Sequence, residues 1–395
     1  MNRTKDEVQA EAVRIFDLHK GSGILQMATG TGKSKIPIEI AKRDYYPGYR
    51  ILICVPTEKL RDKNWKEEFI KWGAESIWND CVERTCYVSM PKLIDQHYDL
   101  VVLDECHNIT ENNSSFFSQC TCKKLIGLTA TMPKDSIKLS IFNSLHLKVI
   151  YSVSMDQAVE WGLVSPYKII VVRTDIDKVT KNIAAGNKKK PFMQSEYAAY
   201  QYITKKIYDM QYDEDVNGNP IKMDLNSNER ARLKMLLLQR MRLIYNFKSK
   251  LDTAKYLLRR LIPESERTLI FAGSIAHADE LCIHSFHSKS GKKSTTFEDF
   301  CEKKINRMSC VDSVNEGHNI PDLDRALIVQ LNSKSLKMIQ RIGRVVRFRE
   351  DHIARIIIVV AKGTMDEQWT KTALAEFDED NITVYNLTDL KAKYG

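Results

Sequence analysis

The chain has 395 residues, of which 43% are hydrophobic and 28% are charged. This length exceeds what one hydrophobic core usually serves, so we expect two domains. The composition excludes an intrinsically disordered chain, and the lack of an apolar run of about 20 residues excludes a membrane-spanning helix. No apolar signal region follows the start, and the nine cysteines are scattered, so we expect a cytoplasmic protein with reduced thiols.

The net charge of +9 is concentrated in one segment of the chain. Residues Ile176 to Ile262 carry 18 Lys and Arg against 9 Asp and Glu, so the rest of the chain is balanced. The segment includes three consecutive lysines, Lys188, Lys189 and Lys190. A local basic excess predicts an anionic partner there, with a solvated helical surface as the alternative.

A short glycine loop separates an apolar run from a helical pattern near the start of the chain. The run ends at Met27, and the loop reads Ala28-Thr29-Gly30-Thr31-Gly32-Lys33-Ser34. Glycines let the backbone bring N–H groups close to phosphate oxygens, and the next helix points its positive end at them. Lys33 can reach the β- and γ-phosphates and Ser34 can ligate Mg²⁺, although the general pattern has glycine where Met27 stands.

Continuous apolar runs predict buried parallel strands after this loop. Ile51–Val55 is such a run and ends in Pro56 and Thr57, and Cys86–Ser89 predicts a further short strand. A helical pattern with Leu60 and Trp65 follows the first of these runs. This part of the chain therefore has the alternation of strands and helices that is typical of an α/β domain.

Acidic side chains follow directly on the next predicted strand. The run Asp99–Leu103 leads into Asp104, Glu105 and, two residues later, His107. In an open α/β sheet, ligands bind at the carboxyl ends of the strands. We therefore expect these acids to lie close to the glycine loop.

The next predicted strand ends in two hydroxyl side chains, Thr129 and Thr131. Up to this point the pattern predicts one α/β domain over residues 1–150. Residues 151–395 predict a second α/β domain, which is interrupted by the basic segment at about 176–262. That segment is helical in pattern, so we expect a helical insertion in the second domain.

A cluster of arginines lies between two predicted strands of the second domain. It reads Gln340-Arg341-Ile342-Gly343-Arg344-Val345-Val346-Arg347. Guanidinium groups around a glycine are typical of phosphate binding, and a basic helix facing solvent is the alternative.

These ordered motifs resemble those of superfamily 2 helicases and translocases over residues 9 to about 370. The resemblance rests on Gln9, Ala28–Ser34, Pro56–Leu60, Asp104–His107, Thr129–Thr131, Leu269–Ser274, Glu316–Pro321 and Gln340–Arg347, with Ser89 at the place of a further motif. That superfamily does not require glycine at position 27. The last motif and the phrase Ala158–Val164 are similar to the group that holds phage branch-migration helicases, excision-repair helicases and restriction-enzyme motors.

The resemblance implies two RecA-like parallel-sheet domains in tandem, with ATP and Mg²⁺ as cofactors. The implied ATP ligands are Gln9 at the adenine, Thr29, Gly30, Thr31, Gly32, Lys33, Ser34, Asp104, Gly317 and Asn319, the last in a place where aspartate is common. Ser34 and Asp104 are the implied metal ligands. The implied catalytic residues are Lys33, Glu105, Gln340, Arg344 and Arg347, with the two arginines acting as arginine fingers.

The resemblance also implies residues that bind nucleic acid and residues that couple this binding to hydrolysis. The implied nucleic-acid contacts are Pro56, Thr57, Ser89 and Ser274, to which the charge distribution adds Lys188, Lys189 and Lys190. The implied coupling residues are His107, Thr129 and Thr131.

From these residues we expect an ATP-dependent helicase or translocase acting on duplex, forked or branched DNA, in repair or recombination. The alternatives are an RNA helicase and a nucleic-acid clamp that binds ATP without turning it over. A small-molecule kinase would not account for the arginine motif or for the second domain. We expect a monomer, in the host cytoplasm if phage-encoded, with a loader or a replication or repair protein as a further partner.

Overall fold

The structure is a computed structural model that describes residues 2–58, 60–133, 135–187, 190–214, 219–290, 295–311, 323–330, 352–375 and 377–394. The chain forms two compact units, one running to Pro166 and the other beginning at Tyr167. Within the described ranges, none of the helices combines the length and the apolar character needed to cross a bilayer.

The first unit is built on a parallel sheet of six described strands in the order β3-β2-β4-β5-β1-β6. These strands are β1 Ser22–Met27, β2 Ile51–Val55, β3 Val82–Cys86, β4 His97–Asp104, β5 Thr121–Thr129 and β6 Val149–Val153. Its helices are α1 Lys5–Leu18, α2 Lys35–Asp44, α3 Trp65–Lys71, α4 Glu75–Cys81, α5 Glu111–Gln119, α6 Ser136–Ser144 and α7 Met155–Glu160. A π-helical turn at Leu60–Asn64 precedes α3, and 3₁₀ turns lie at Tyr87–Lys92 and Cys106–Asn108.

The core of this unit explains the continuous apolar runs in the sequence. All five residues of β2 are buried, as are six of the eight residues of β4, because both sheet faces are covered. Before β1, a capping box of Thr4 and Glu7 starts α1, which buries Val8, Ala12 and Phe16. The sheet therefore holds the carboxyl ends of β1, β4 and β5 in fixed positions.

The second unit is built on a parallel sheet of seven described strands in the order β13-β14-β12-β15-β16-β7-β17. These strands are β7 Tyr167–Thr174, β12 Thr268–Phe271, β13 Ser285–Phe286, β14 Arg307–Cys310, β15 Arg325–Ile328, β16 Ala354–Ala361 and β17 Ile382–Asn386. The described helices after residue 262 are α11 Ile275–Leu281, α12 Thr296–Cys301, α13 Met365–Leu374 and α14 Leu387–Tyr394, and a 3₁₀ turn lies at Glu379–Asn381. The expectation of two parallel-sheet α/β domains in tandem is confirmed.

The basic segment is only partly helical. It contains the helices α8 Glu196–Gln211, α9 Ser227–Tyr245 and α10 Lys248–Arg260, and two antiparallel pairs, β8 Ile183–Asn187 with β9 Lys190–Gln194 and β10 Tyr212–Glu214 with β11 Pro220–Lys222. Helix α10 packs on a face of the second sheet, where its residues Ala254, Leu257 and Leu258 are buried together with Ile270 and Val359. The insertion proper therefore ends before α10.

One expected domain boundary and one expected charge differ in the structure. Residues 151–166 belong to the first unit: β6 pairs with β1, and the Ala28 N–H donates to the Val153 carbonyl at 2.9 Å. The N-terminal stretch of this unit thus runs to Pro166, beyond the expected boundary near residue 150. Lys250, which contributed to the basic excess, is buried and pairs with buried Asp366, so its charge is not available to a partner.

Candidate nucleotide-binding site

The glycine loop lies between the carboxyl end of β1 and the first turn of α2. Gly30 and Gly32 have φ angles of 94° and 81°, a region that other residues rarely adopt. A Cβ atom on Gly32 would lie 2.3 Å from the Gln9 Nε2 atom, so glycine is also needed for space. The Thr31 hydroxyl donates to the Ala28 carbonyl at 2.7 Å and closes the loop from inside. The backbone is therefore held in the curved form that a phosphate group requires.

Two side chains of the loop are placed to meet a phosphate and a metal ion. The Lys33 ammonium donates to the Met27 carbonyl at 2.8 Å, and this hydrogen bond joins the two ends of the loop. Ser34 stands at the N-terminus of α2 without a capping hydrogen bond, which leaves its hydroxyl available to a ligand. The ten residues of α2 add a favourable N-terminal dipole for an anion.

Gln9 lies against this loop and is not exposed on the surface of α1. Its side chain is 4% exposed, and its amide donates to the carbonyls of Thr31 at 3.0 Å and Gly32 at 3.3 Å. Its Oε1 atom is buried without a hydrogen-bond partner. A buried acceptor of this kind fits a donor supplied by a ligand, such as the amino group of adenine.

The two acids follow β4, which is separated from β1 by one strand, β5. Asp104 is the last residue of β4, and Glu105 adopts φ 48° and ψ 55°, in the left-handed region. This conformation costs a residue with a side chain about 1–3 kcal/mol, and such strain is concentrated at functional sites. The turn directs the chain from the strand into the 3₁₀ turn Cys106–Asn108.

Asp104 is held by a hydrogen bond from Trp65, whose indole Nε1 donates to the Oδ2 atom at 2.9 Å. Burial raises the pKa of Asp104, and the Trp65 hydrogen bond and the charge of Lys33 oppose that rise. The carboxylate and the loop lie at the same edge of the sheet, where the charge of Lys33 acts on Asp104. A lysine, a hydroxyl and a carboxylate form the set of groups that binds a nucleotide with Mg²⁺, so the residues fit both.

His107, Thr129 and Thr131 are joined by hydrogen bonds. His107 Nδ1 lies 3.1 Å from the Thr129 hydroxyl, which itself donates to the Thr131 carbonyl at 2.9 Å. Burial, aided by the charges of Lys138 and Lys33, lowers the pKa of His107 to about 4, so the ring is neutral at pH 7. Since that hydroxyl donates elsewhere, we infer that Nδ1 carries the ring proton, and it also lies 3.4 Å from Glu105 Oε2. The structure thus connects Glu105 with the end of β5.

The expected nucleic-acid contacts of the first unit lie on the same edge of its sheet. Pro56 and Thr57 follow β2, and Ser89 follows β3, which is the outermost strand on that side. Ser89 lies in the 3₁₀ turn Tyr87–Lys92 and not in the strand that the sequence predicted, because β3 ends at Cys86. Along the edge, these residues stand on one side of Asp104 and the glycine loop stands on the other.

The remaining expected contacts are in the second unit or outside the described residues. The Ser274 hydroxyl accepts a hydrogen bond from the His277 N–H at 3.3 Å and thereby caps α11. Lys190 begins β9, within the segment for which the sequence predicted helices. The predicted residues Lys188, Lys189, Gly317, Asn319, Gln340, Arg344 and Arg347 lie outside the described residues.

Sequence reasoning missed two residues that contact Asp104. Besides the indole of Trp65, the Tyr87 hydroxyl donates to the Asp104 carbonyl oxygen at 2.9 Å. Trp65 was recognised only as an apolar position of a helix, and Tyr87 only as part of a short strand. Neither spacing nor composition could have identified these contacts, because the residues are 39 and 17 positions from Asp104.

Comparison with known proteins finds two family matches. Residues 2–134 match the family described as "Type III restriction enzyme, res subunit", and residues 249–349 match "Helicase conserved C-terminal domain". Among curated proteins, the chain is 22% identical over 379 residues to the DNA 3'-5' translocase XPB2 of Sulfurisphaera tokodaii, which covers 91% of this chain and 82% of that protein.

Solved structures are similar in fold. The helicase domain of Pyrococcus furiosus Hef has a TM-score of 0.54 at 15% identity, covering 94% of this chain and all of that one (100%). S. cerevisiae Dbp5, solved bound to RNA and ADP BeF3, has a TM-score of 0.57 at 12% identity, covering 98% of this chain and 91% of that one. The two family matches follow one another in the order of the two units, and the translocase relative spans both. The chain belongs to superfamily 2 of helicases and translocases.

Proposed function

We propose that this protein is a nucleic-acid-stimulated ATPase that works as a DNA helicase or translocase. The observation that carries the proposal is the order of groups along one edge of the first sheet. Thr57 and Ser89 lie on one side, Asp104 and Glu105 in the middle, and the glycine loop on the other side. Nucleic acid and nucleotide can thus bind to the two ends of one rigid edge.

In this proposal the residues of the first unit divide the work on ATP. The loop N–H groups and Lys33 bind the phosphates, and the buried Gln9 Oε1 atom accepts a hydrogen bond from the adenine. Ser34 and Asp104 would hold Mg²⁺, which when bound neutralises phosphate charge. Glu105 accepts a proton from the attacking water or orients it. The neutral His107 ring contacts both Glu105 and Thr129, so a change in the position or charge of the Glu105 carboxylate can alter the end of β5.

DNA is the proposed nucleic acid because the translocase relative that spans both units is a DNA translocase. The basic excess of the segment Ile176–Ile262 supports a nucleic-acid partner of either kind. Duplex, forked and branched DNA are the substrates we propose, with repair or recombination as the setting. RNA is the second candidate, which the fold of RNA-bound Dbp5 favours, although that likeness concerns the fold alone.

The proposal is tested by measuring phosphate release with single-stranded, duplex, forked and four-way DNA, each with a matched RNA. We expect turnover to rise with DNA more than with RNA. Greater stimulation by RNA would make the protein an RNA helicase. ATP binding without turnover on any nucleic acid would instead identify a clamp.

Replacing Gln9 with alanine should weaken ATP binding about tenfold and leave GTP binding nearly unchanged. The reason is that only ATP loses the proposed hydrogen bond from its adenine amino group to the Gln9 Oε1 atom. Equilibrium binding of fluorescently labelled ATP and GTP measures both, and Gln119→Ala, at the exposed end of α5, is the control. Equal losses for the two nucleotides would make Gln9 a support of the loop through its bonds to Thr31 and Gly32, and not a reader of the base.

Replacing Lys188, Lys189 and Lys190 with alanine should weaken duplex binding at all sequences. Each neutralised phosphate contributes about 0.9 to the slope of log affinity against log salt, so the slope should flatten. ATP turnover at saturating DNA should change little, because no residue of the ATP site is altered. The control replaces three exposed lysines on helices of the same unit, Lys371, Lys391 and Lys393. An unaltered slope with normal duplex affinity would leave the triple lysine as a solvated surface.

A further inference from the structure

Two buried side chains from outside the motifs bind different parts of Asp104. The Trp65 indole donates to the carboxylate at 2.9 Å, and the Tyr87 hydroxyl donates to the carbonyl oxygen of the same residue at 2.9 Å. The first contact orients the carboxylate. The second holds the peptide group that leads into Glu105 and its left-handed backbone.

Each of the two residues lies in or directly after a turn at which we propose that nucleic acid binds. Trp65 begins α3 immediately after the π-helical turn Leu60–Asn64, and that turn is joined to Thr57, whose carbonyl accepts from the Arg61 N–H at 3.1 Å. π-Helical turns are rare in proteins, and those that occur often lie at functional sites. A displacement of Thr57 would therefore reach Trp65 through this hydrogen bond and the turn Leu60–Asn64 that leads into α3.

Tyr87 follows directly on the neighbouring strand, β3. It is the first residue of the 3₁₀ turn that contains Ser89, and the Asn113 amide donates to its carbonyl. The side chain of Tyr87 is 5% exposed, while the next residue, Val88, is 88% exposed. The turn thus presents Val88 and Ser89 outward and sends Tyr87 inward to Asp104.

Both donor side chains are shielded from water, whereas Asp104 itself is half-buried. Trp65 is 2% exposed and packs against Phe69, with ring centroids 6.3 Å apart. A buried donor that loses its acceptor cannot form a hydrogen bond with solvent instead, so each contact favours one arrangement of Asp104. Two such contacts, from segments that follow two neighbouring strands, fix the position of Asp104 at the carboxyl edge of the sheet.

We propose that Trp65 and Tyr87 are positioning residues that couple nucleic-acid binding at the turns after β2 and β3 to the arrangement of Asp104 and Glu105. This link rests on the proposed function, because it assumes that both ligands bind to this edge. A coupling between two binding sites is reciprocal: nucleotide changes the affinity for nucleic acid by the same factor by which nucleic acid changes the affinity for nucleotide.

The test compares Trp65→Phe and Tyr87→Phe with matched controls. Each change removes one hydrogen-bond donor and keeps an aromatic ring. Trp78→Phe is the control for the tryptophan, because Trp78 is buried and packs on the same Phe69 at 5.3 Å. Tyr98→Phe is the control for the tyrosine, because the buried Tyr98 donates to Glu83 at 2.7 Å and not to Asp104.

The measurement is the affinity for a fluorescein-labelled forked DNA by anisotropy, with and without magnesium and a non-hydrolysable ATP analogue. We expect the ratio of the two affinities to be about 5- to 150-fold in the wild type. It should fall towards one in both variants and stay unchanged in both controls, while DNA affinity without the analogue is preserved. The affinity for the analogue, measured with and without DNA, should change by the same factors.

A purely structural role would lower both affinities together and leave the ratio as it is, so an unchanged ratio in both variants would overturn the link. A wild-type ratio of one would overturn it as well. Neither result concerns hydrolysis, which is measured separately by phosphate release. A wild type that hydrolyses ATP on DNA but shows unchanged ratios in the variants would therefore retain the proposed function and lose only the link.

Discussion

Replacing Glu105 with glutamine should slow ATP turnover by about 10²- to 10⁴-fold or more, while ATP and DNA still bind. The amide has nearly the same shape as the carboxylate, so the turn after β4 and the contact with His107 can be kept. It cannot accept a proton, and it carries no charge with which to orient water. Since we propose that the loop and Lys33 bind the phosphates, the loss should fall on turnover.

Phosphate release and equilibrium binding of a labelled ATP analogue measure the two effects in the same preparation. The matched control is Glu111→Gln, which changes an exposed glutamate in the first turn of α5 in the same unit. It should leave turnover near the wild-type value. Near-normal turnover in Glu105→Gln would remove Glu105 from the catalytic role.

The Arg344→Ala variant should lose about 10³- to 10⁵-fold in ATP turnover, which is the range for arginine fingers in related chemistry. The prediction rests on the sequence Gln340–Arg347, because these residues lie outside the described part of the chain. A finger stabilises charge that grows on the phosphoryl group during the reaction, so its removal should affect turnover far more than ATP binding.

Two further variants make this result interpretable. Arg344→Lys keeps the charge but cannot form the two parallel hydrogen bonds of a guanidinium group, so it should recover only part of the turnover. Arg355→Ala removes an exposed arginine of β16, which pairs with Glu266, and should retain turnover. Equal losses in turnover and in ATP binding for Arg344→Ala would make the arginine a ligand of the ground state or a structural residue.

The glycine loop and the acids at the end of β4 could be located from the sequence alone, because their signals are local. Gly30 and Gly32 are needed where the chain turns with positive φ, and the strands of a sheet covered on both faces must be continuously apolar. The parallel-sheet rule then predicted that Asp104 and Glu105 would lie near the loop, since carboxyl ends share one edge. The two α/β domains followed from the same runs.

Only the tertiary structure decided which distant side chains meet that edge. The indole of Trp65 reaches Asp104 across 39 residues of sequence, and Gln9 is buried on the loop because Gly32 leaves it room. The N-terminal stretch of the first unit includes residues 151–166, where β6 pairs with β1, and Lys250 is buried where Asp366 pairs with it. Local patterns record backbone preference and burial, whereas these contacts depend on how separate elements pack, which no single stretch of sequence encodes.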